Sequence, residues 1–380
     1  MIRLTIPAIE EDDLQAVREV LASGHLVQGP RVAAFEQAVA EYVGCQYAVA
    51  VSNGTAALHL ALLALDIRPG DIVLVTAYSW LSTANVIELC GAQPVFVDIQ
   101  PDTFNIDPAC LETALQRLMA VSATAQRVKA ILPVHTFGQM AHMPAILEVA
   151  NHYAVPVVED AACALAATWR GRQAGTWGDM GCFSFHPRKA ITTGEGGIVT
   201  TENSELARRL RALRNHGLDP EALAPDFIMP GFNYRMTEFQ AALGLTQMHK
   251  LDRIITARRQ HAAYYDALLS GTPLQTPIVN GNGASVYQSY VVLLPEQRTT
   301  HRQSLIRQLK ERGIETTIGT WHMPMTTYFR QRYGYKTGDF PVTDWVFARA
   351  MTLPLYEELS ARDQQYICDV VCDVLEGLVA

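Results

Sequence analysis

Short apolar runs that recur between helical patterns constrain this chain more than any other feature. YAVAVS (47–52), DIVLVTAY (71–78), QPVFVD (93–98), KAILPVH (129–135) and VPVVED (155–160) are apolar along nearly their whole length, and GCFSF (181–185) and GIVTT (197–201) follow. A strand with one wet face alternates polar and apolar residues; these do not. Between the early runs lie amphipathic stretches, TAALHLALLAL (55–65), TANVIELCG (83–91) and MPAILEVANHY (143–153). Strand–helix alternation of this kind predicts a mainly parallel sheet covered on both faces. Ligands of such sheets bind at the carboxyl ends of the strands.

After one long helix the texture changes. That helix is expected from MTEFQAALGL (236–245) toward RRQHAAYYDALL (258–269), and GTPLQTPIVNGNGAS (271–285) reads as a connector. A strand (YQSYVVLL, 287–294), a helix (HRQSLIRQLKERG, 301–313) and a closing helix over 361–378 complete a smaller α/β unit. A chain of 380 residues is too long for one small core, so two domains are expected, 1–250 and 251–380.

The formal net charge of −8 argues against a nucleic-acid partner. Seven scattered cysteines include no CxxC pair and no zinc spacing, so no metal is expected and the chain reads as a reduced, cytoplasmic protein. The opening MIRLTIPAIEEDDLQ has acids where a signal peptide has an apolar core, and the longest apolar stretch is too short to span a bilayer. No membrane partner is expected.

The strand ends hold the chemistry. After the first run, Ser52-Asn53-Gly54-Thr55-Ala56 opens a helix, and small residues at a helix start present amides that suit a phosphate. Alone, it is an ordinary N-cap. Trp80 follows the second run, as either core or a flat stacking surface. Asp160 ends the fifth, where a buried acid needs a cation or donors. Ser184 and His186, placed on one side of the sixth, lead to Arg188, Lys189 and a glycine-rich turn at Gly194, Gly196 and Gly197. Separately these are a structural histidine, a solvated lysine and a hairpin. Together they meet the needs of pyridoxal phosphate (PLP): a lysine for its aldehyde, a carboxylate for its ring nitrogen, amides for its phosphate and an aromatic for its ring.

GPRVAAFEQAVAEYVG (29–44), SNGTAALHLAL (52–62), DIQPDTFNIDP (98–108), ILPVHTFGQMAHM (131–143), VVEDAACALAA (157–167), SFHPRKAITTGEGG (184–197), LRNHG (213–217) and FNYRMTEFQAALGL (232–245) stand in order along the chain. The sequence resembles the PLP-dependent sugar aminotransferases of the DegT/DnrJ/EryC1/StrS family, of the aspartate aminotransferase superfamily. That resemblance implies fold type I: a large domain on a mainly parallel seven-stranded sheet and a smaller C-terminal α/β domain. It implies that Lys189 is the Schiff-base lysine and proton shuttle, that Asp160 pairs with the pyridinium nitrogen and that Trp80 stacks on the ring. Gly54, Thr55, Ala56 and Ser184 would bind the phosphate, joined by Asn233 from a neighbouring subunit in a homodimer with shared active sites. At position 163 relatives carry Gln or His on the ring hydroxyl; here Cys163 is a weaker hydrogen-bond partner. Arg188 stands where many relatives have Thr, and would tune Lys189, reach a substrate phosphate or remain a solvated charge. His186 and His322 are expected toward the substrate.

The implied reaction moves an amino group from an amino acid, L-glutamate by resemblance, through pyridoxamine phosphate to a nucleotide-linked keto-sugar. The alternatives are a cyclitol aminotransferase, a PLP-dependent sugar dehydratase (relatives in that branch replace the lysine with His) and a scaffold without catalysis. A dinucleotide dehydrogenase lacks its GxGxxG turn here.

Overall fold

Six strands of one sheet run in the same direction and a seventh runs against them. The structure, a computed structural model, describes residues 1–377. In chain order the strands are β1 (Tyr47–Val51), β2 (Ile72–Thr76), β3 (Gln93–Val97), β4 (Val128–Leu132), β5 (Val158–Asp160), β6 (Met180–Ser184) and β7 (Gly197–Thr201). Their order across the sheet is β1-β7-β6-β5-β4-β2-β3. The β4–β5 junction is a pair of parallel bridges, Ile131 to Val157 and Val134 to Asp160. The Asp160 amide donates to the Pro133 carbonyl at 2.8 Å, and the His135 amide to the Asp160 carbonyl at 3.0 Å.

Alternate residues of these strands enter different apolar clusters. Ala48, Ala50, Leu74, Phe183 and Ile198 pack on one face, and Val49, Val51, Val73, Cys182 and Val199 on the other. Burial on both sides explains the continuous apolar runs. Helices α1 (Glu11–Ser23) and α2 (Pro30–Val43) precede β1; α3 (Gly54–Ala64) follows it and is buried almost all round, so it too lacks a polar face.

The reversed strand is β7, antiparallel to both β1 and β6. It returns from β6 through residues 185–196, a loop closed by the Phe185 amide on the Gly196 carbonyl at 2.9 Å. The glycine-rich turn is therefore a hairpin, and Lys189 lies in it. Gly197 meets the start of α3 so closely that a Cβ there would lie 2.4 Å from the Asn53 carbonyl oxygen.

The helix Glu238–Leu268 runs for 31 residues from a capping box made by Thr237 and Gln240. Buried Glu238 accepts the amides of Gly29 (2.8 Å), Arg31 (2.9 Å) and Val32 (2.9 Å), and so caps α2 (Pro30–Val43) from across the chain. The far half of the long helix packs in a separate apolar cluster, where Tyr265 joins Leu305, Leu309, Ile367 and Val371. That cluster covers a three-stranded antiparallel sheet of β8 (Tyr290–Leu293), β9 (Thr317–Ile318) and β10 (Ala350–Leu353), ordered β8-β10-β9. The closing helix spans Ala361–Gly377, and its last expected position, Leu378, lies outside the described residues. A short antiparallel pair, Tyr78–Ser79 with Trp321–His322, ties this part to the end of β2.

Candidate active site

A cavity of about 620 Å³ opens at the carboxyl ends of β1, β4, β5 and β6. Asp160 forms part of its wall with only 4% of its surface exposed. Its Oδ2 accepts the Thr83 hydroxyl at 2.7 Å and its Oδ1 accepts the Ala162 amide at 3.1 Å. Thr83 uses its single proton on that carboxylate, so Ser79, 3.1 Å away, donates to Thr83. Burial raises the Asp160 carboxyl above its ordinary value of 3.8, while the Thr83 and Ala162 hydrogen bonds and the charge of Lys189 oppose the rise. The neighbouring acid, Glu159, points to the opposite side of the strand. It accepts His135 Nε2 at 2.8 Å and the amides of Gly175 (2.9 Å), Trp177 (2.6 Å) and Gly178 (2.8 Å). His135 Nδ1 accepts the Ala141 amide, which leaves the proton on Nε2 for Glu159. Glu159 is thus saturated by the protein, whereas Asp160 faces the cavity.

Lys189 lines the same cavity and donates from Nζ to Cys163 Sγ at 3.0 Å. Its amide donates to the His186 carbonyl at 2.8 Å, which tightens the loop beneath it. Opposite, α3 begins at the cavity edge. Asn53 takes the Ala56 amide on its side chain at 2.8 Å. The amides of Gly54 and Thr55 belong to the first helical turn and have no acceptor within the helix. A Cβ on Gly54 would lie 2.8 Å from Cβ of Ser184, so the glycine lets the end of β6 abut the helix start. The result is a polar cradle of small residues, suited to an anion. Trp80 stands at the rim, 62% exposed.

The structure therefore brings Gly54, Thr55, Ala56, Trp80, Asp160, Cys163, Ser184, His186 and Lys189 around one cavity. Burial and the charges of Lys189 and Arg188 pull the His186 imidazole below its ordinary value, against Glu195.

Three expected residues lie elsewhere. Arg188 borders an adjoining cavity of about 500 Å³, which shares Trp80 and Thr320 with the first. Asn233 is exposed and does not line its own chain's cavity. His322, expected toward the substrate, is 3% exposed; its Nε2 meets Asp344 Oδ1 at 3.0 Å and its ring packs edge-on to Phe340 and Phe347. Its short strand pairs with Tyr78–Ser79, and side-chain alternation turns Trp321 out and His322 in. Sequence reasoning missed Thr83, Ser79, Phe137 and the pair His59–Tyr234, which also belong to the wall or its support. A hydroxyl cluster just after Trp80, Ser82-Thr83, was the available signal. Phe137 holds a left-handed backbone (φ +56°), a strained state for a bulky residue placed beside the cavity.

The DegT/DnrJ/EryC1/StrS aminotransferase family profile matches residues 7–372. The spore coat polysaccharide biosynthesis protein SpsC of Bacillus subtilis is 38% identical, over 98% of this chain and 97% of that protein. Helicobacter pylori PseC, an aminotransferase involved in the biosynthesis of pseudoaminic acid, superposes with a TM-score of 0.91 at 26% identity over 99% of both chains. Streptococcus pneumoniae Spr1654 in its PLP form superposes with a TM-score of 0.92 at 27% identity over 100% of each chain.

Proposed function

The chain belongs to the DegT/DnrJ/EryC1/StrS aminotransferase family, and from that premise we propose that it transfers an amino group from L-glutamate to a nucleotide-linked keto-sugar. It is a PLP-dependent aminotransferase of fold type I. The kinship with a polysaccharide-biosynthesis protein and with PseC supports a sugar acceptor. One observation carries the reading: a buried carboxyl, Asp160, and an amine, Lys189, line one cavity with a helix start that has amides to spare.

These residues fit the cofactor. The cradle that a Cβ at Gly54 would fill suits its phosphate, held by Gly54, Thr55, Ala56 and Ser184. Asp160, uncompensated by any cation in hydrogen-bond contact, suits a protonated ring nitrogen. Trp80 supplies an exposed aromatic face, and Cys163 a thiol beside the amine. When bound, PLP supplies an aldehyde for amine exchange and a ring that draws electrons from the substrate carbon.

The chain's own groups do the rest. Lys189 Nζ removes a proton from the donor's α-carbon and returns one at the acceptor's carbon, on a flexible stem that reaches both. Asp160 holds its partner's proton in place, and Thr83 and the Ala162 amide hold Asp160. His186 on the wall and Arg188 on the adjoining cavity lie where an extended substrate would pass.

Asn233 reaches the phosphate of a partner subunit in this reading, so the working enzyme is a homodimer. Its exposure, with Phe227 and Ile228 exposed just before it, supports a covering copy. The domains divide at 250/251 in this reading; the separate apolar cluster that takes in the long helix from Ala262 onward supports a division along that helix. The reaction runs in the cytoplasm, where the seven free cysteines would stay reduced. Among the described residues no helix is long and apolar enough to cross a membrane.

The test is a substrate panel. Holoenzyme with L-glutamate should release 2-oxoglutarate, and a keto-sugar nucleotide should then leave as an amino-sugar nucleotide, read by mass. Amination of a keto-inositol in preference to every keto-sugar nucleotide would reject the acceptor class.

A further inference from the structure

The contact between Lys189 and Cys163 brings two nucleophiles together inside the cavity. Nζ stands 3.0 Å from Sγ, and the thiol is partly exposed on the cavity wall, where a small oxidant can reach it. Cys45, by contrast, gives its thiol to the Tyr47 carbonyl at 3.4 Å, and Cys90, Cys182 and Cys368 are buried. A thiol within reach of an amine has a further chemistry once its sulfur is oxidised.

We propose that Cys163 and Lys189 form a redox-gated pair: hydrogen peroxide oxidises the thiol, and the lysine amine then closes a covalent sulfur–nitrogen link that silences the site. In the first step the sulfur attacks peroxide, the O–O bond breaks, and Cys163 becomes a sulfenic acid with loss of one water. In the second, the lysine ammonium gives one proton to solvent, its nitrogen lone pair attacks sulfur, the S–O bond breaks, and the hydroxyl leaves as water with a further proton from the amine. Thiol, amine and one peroxide thus give the link and two waters; sulfur is oxidised and peroxide reduced. The four-carbon lysine stem supplies the small movement needed. An excess of small-molecule thiol attacks the sulfur, frees the amine, and a second thiol restores Cys163.

The inference rests on the reading in which Lys189 carries the cofactor. While the amine is engaged it cannot close the link; once an amino donor has released it, it can. The pair therefore senses the stage of the reaction at which oxidant arrives.

The experiment uses three samples: cofactor-free protein, resting holoenzyme, and holoenzyme incubated with L-glutamate. Each is treated with hydrogen peroxide, digested and weighed. A peptide joining Cys163 to Lys189, lighter than its two parts by two hydrogens, is expected in the first and third samples and not in the second. Dithiothreitol should split it, and Cys163→Ser should never form it. A cofactor-free protein in which Cys163 is oxidised to sulfinate while Lys189 stays unlinked would overturn the inference. Linkage in the cofactor-free protein with equal linkage in both holoenzyme samples would uphold the pair and reject Lys189 as the cofactor's attachment point.

Discussion

Thr83 donates its hydroxyl to Oδ2 of Asp160 at 2.7 Å, across 77 positions of sequence, and so orients a buried acid that faces the cavity. Thr83→Val removes the donor and keeps the shape. A hydrogen bond to a charged group contributes about 1.5–3 kcal/mol, so the glutamate half-reaction should slow by roughly 10- to 100-fold. Thr83→Ser should restore most of it. Stopped-flow absorbance of the cofactor band checks both, and an unchanged rate in the valine variant would remove Thr83 from the site.

Asp160→Asn should retain cofactor and lose roughly 10²–10⁴-fold in turnover, the usual weight of a positioned acid–base group. The cofactor-free protein should respond in the opposite sense. Burial raises the folded carboxyl above 3.8, so the folded state binds the proton more tightly than the unfolded chain. The resulting penalty is absent below the unfolded value, grows as pH rises, and is complete above the folded value. At neutral pH, Asp160→Asn should therefore raise the melting temperature of the cofactor-free protein, and the gain should vanish in acid. Equal melting temperatures at pH 7 would show that the carboxyl carries no such strain.

Lys189→Ala should abolish turnover. Borohydride reduction of the wild-type holoenzyme, followed by peptide mapping, should place the cofactor's mass on the peptide that holds Lys189. A label on another lysine would move the catalytic centre.

Gly54→Ala should weaken cofactor binding, because the new methyl would stand 2.8 Å from Cβ of Ser184. Overpacking costs about 1–3 kcal/mol, or roughly 5- to 150-fold in the dissociation constant of PLP. Removing the obstacle in Gly54→Ala/Ser184→Gly should recover part of the loss. Fluorescence titration decides, and a wild-type constant in the single variant would mean that the cradle is looser than its geometry.

Glu238→Ala should strip three amides at the start of α2 of their acceptor. Loss of a cap costs about 0.5–2 kcal/mol, and here the end is buried, so the upper part of that range applies. Denaturant unfolding should show it as a lower midpoint with the same slope.

All seven strands are legible in the sequence because burial on both faces leaves a continuous apolar signature along each run. The cavity-facing set at the strand ends was legible too, since chain direction in a parallel sheet carries successive loops to one edge. The reversal of β7 was less plain: the glycine-rich turn announced a hairpin, but its partners on either side are decided by long-range pairing. His322 shows the limit most clearly. Its local sequence places it near the site, yet pairing with Tyr78 rotates it into the interior, more than 240 residues from that partner in the chain.

The amino-acid order by itself determined the layered α/β architecture, the lysine, the acid and the small-residue helix start, because each depends on local pattern and chemistry. Tertiary structure alone decided that Thr83 serves Asp160, that Glu159 is spent on backbone amides, that Cys163 touches Lys189 and that Arg188 lies beside a second cavity. Those are matters of side-chain register and distance between remote segments, which only packing of the whole chain sets.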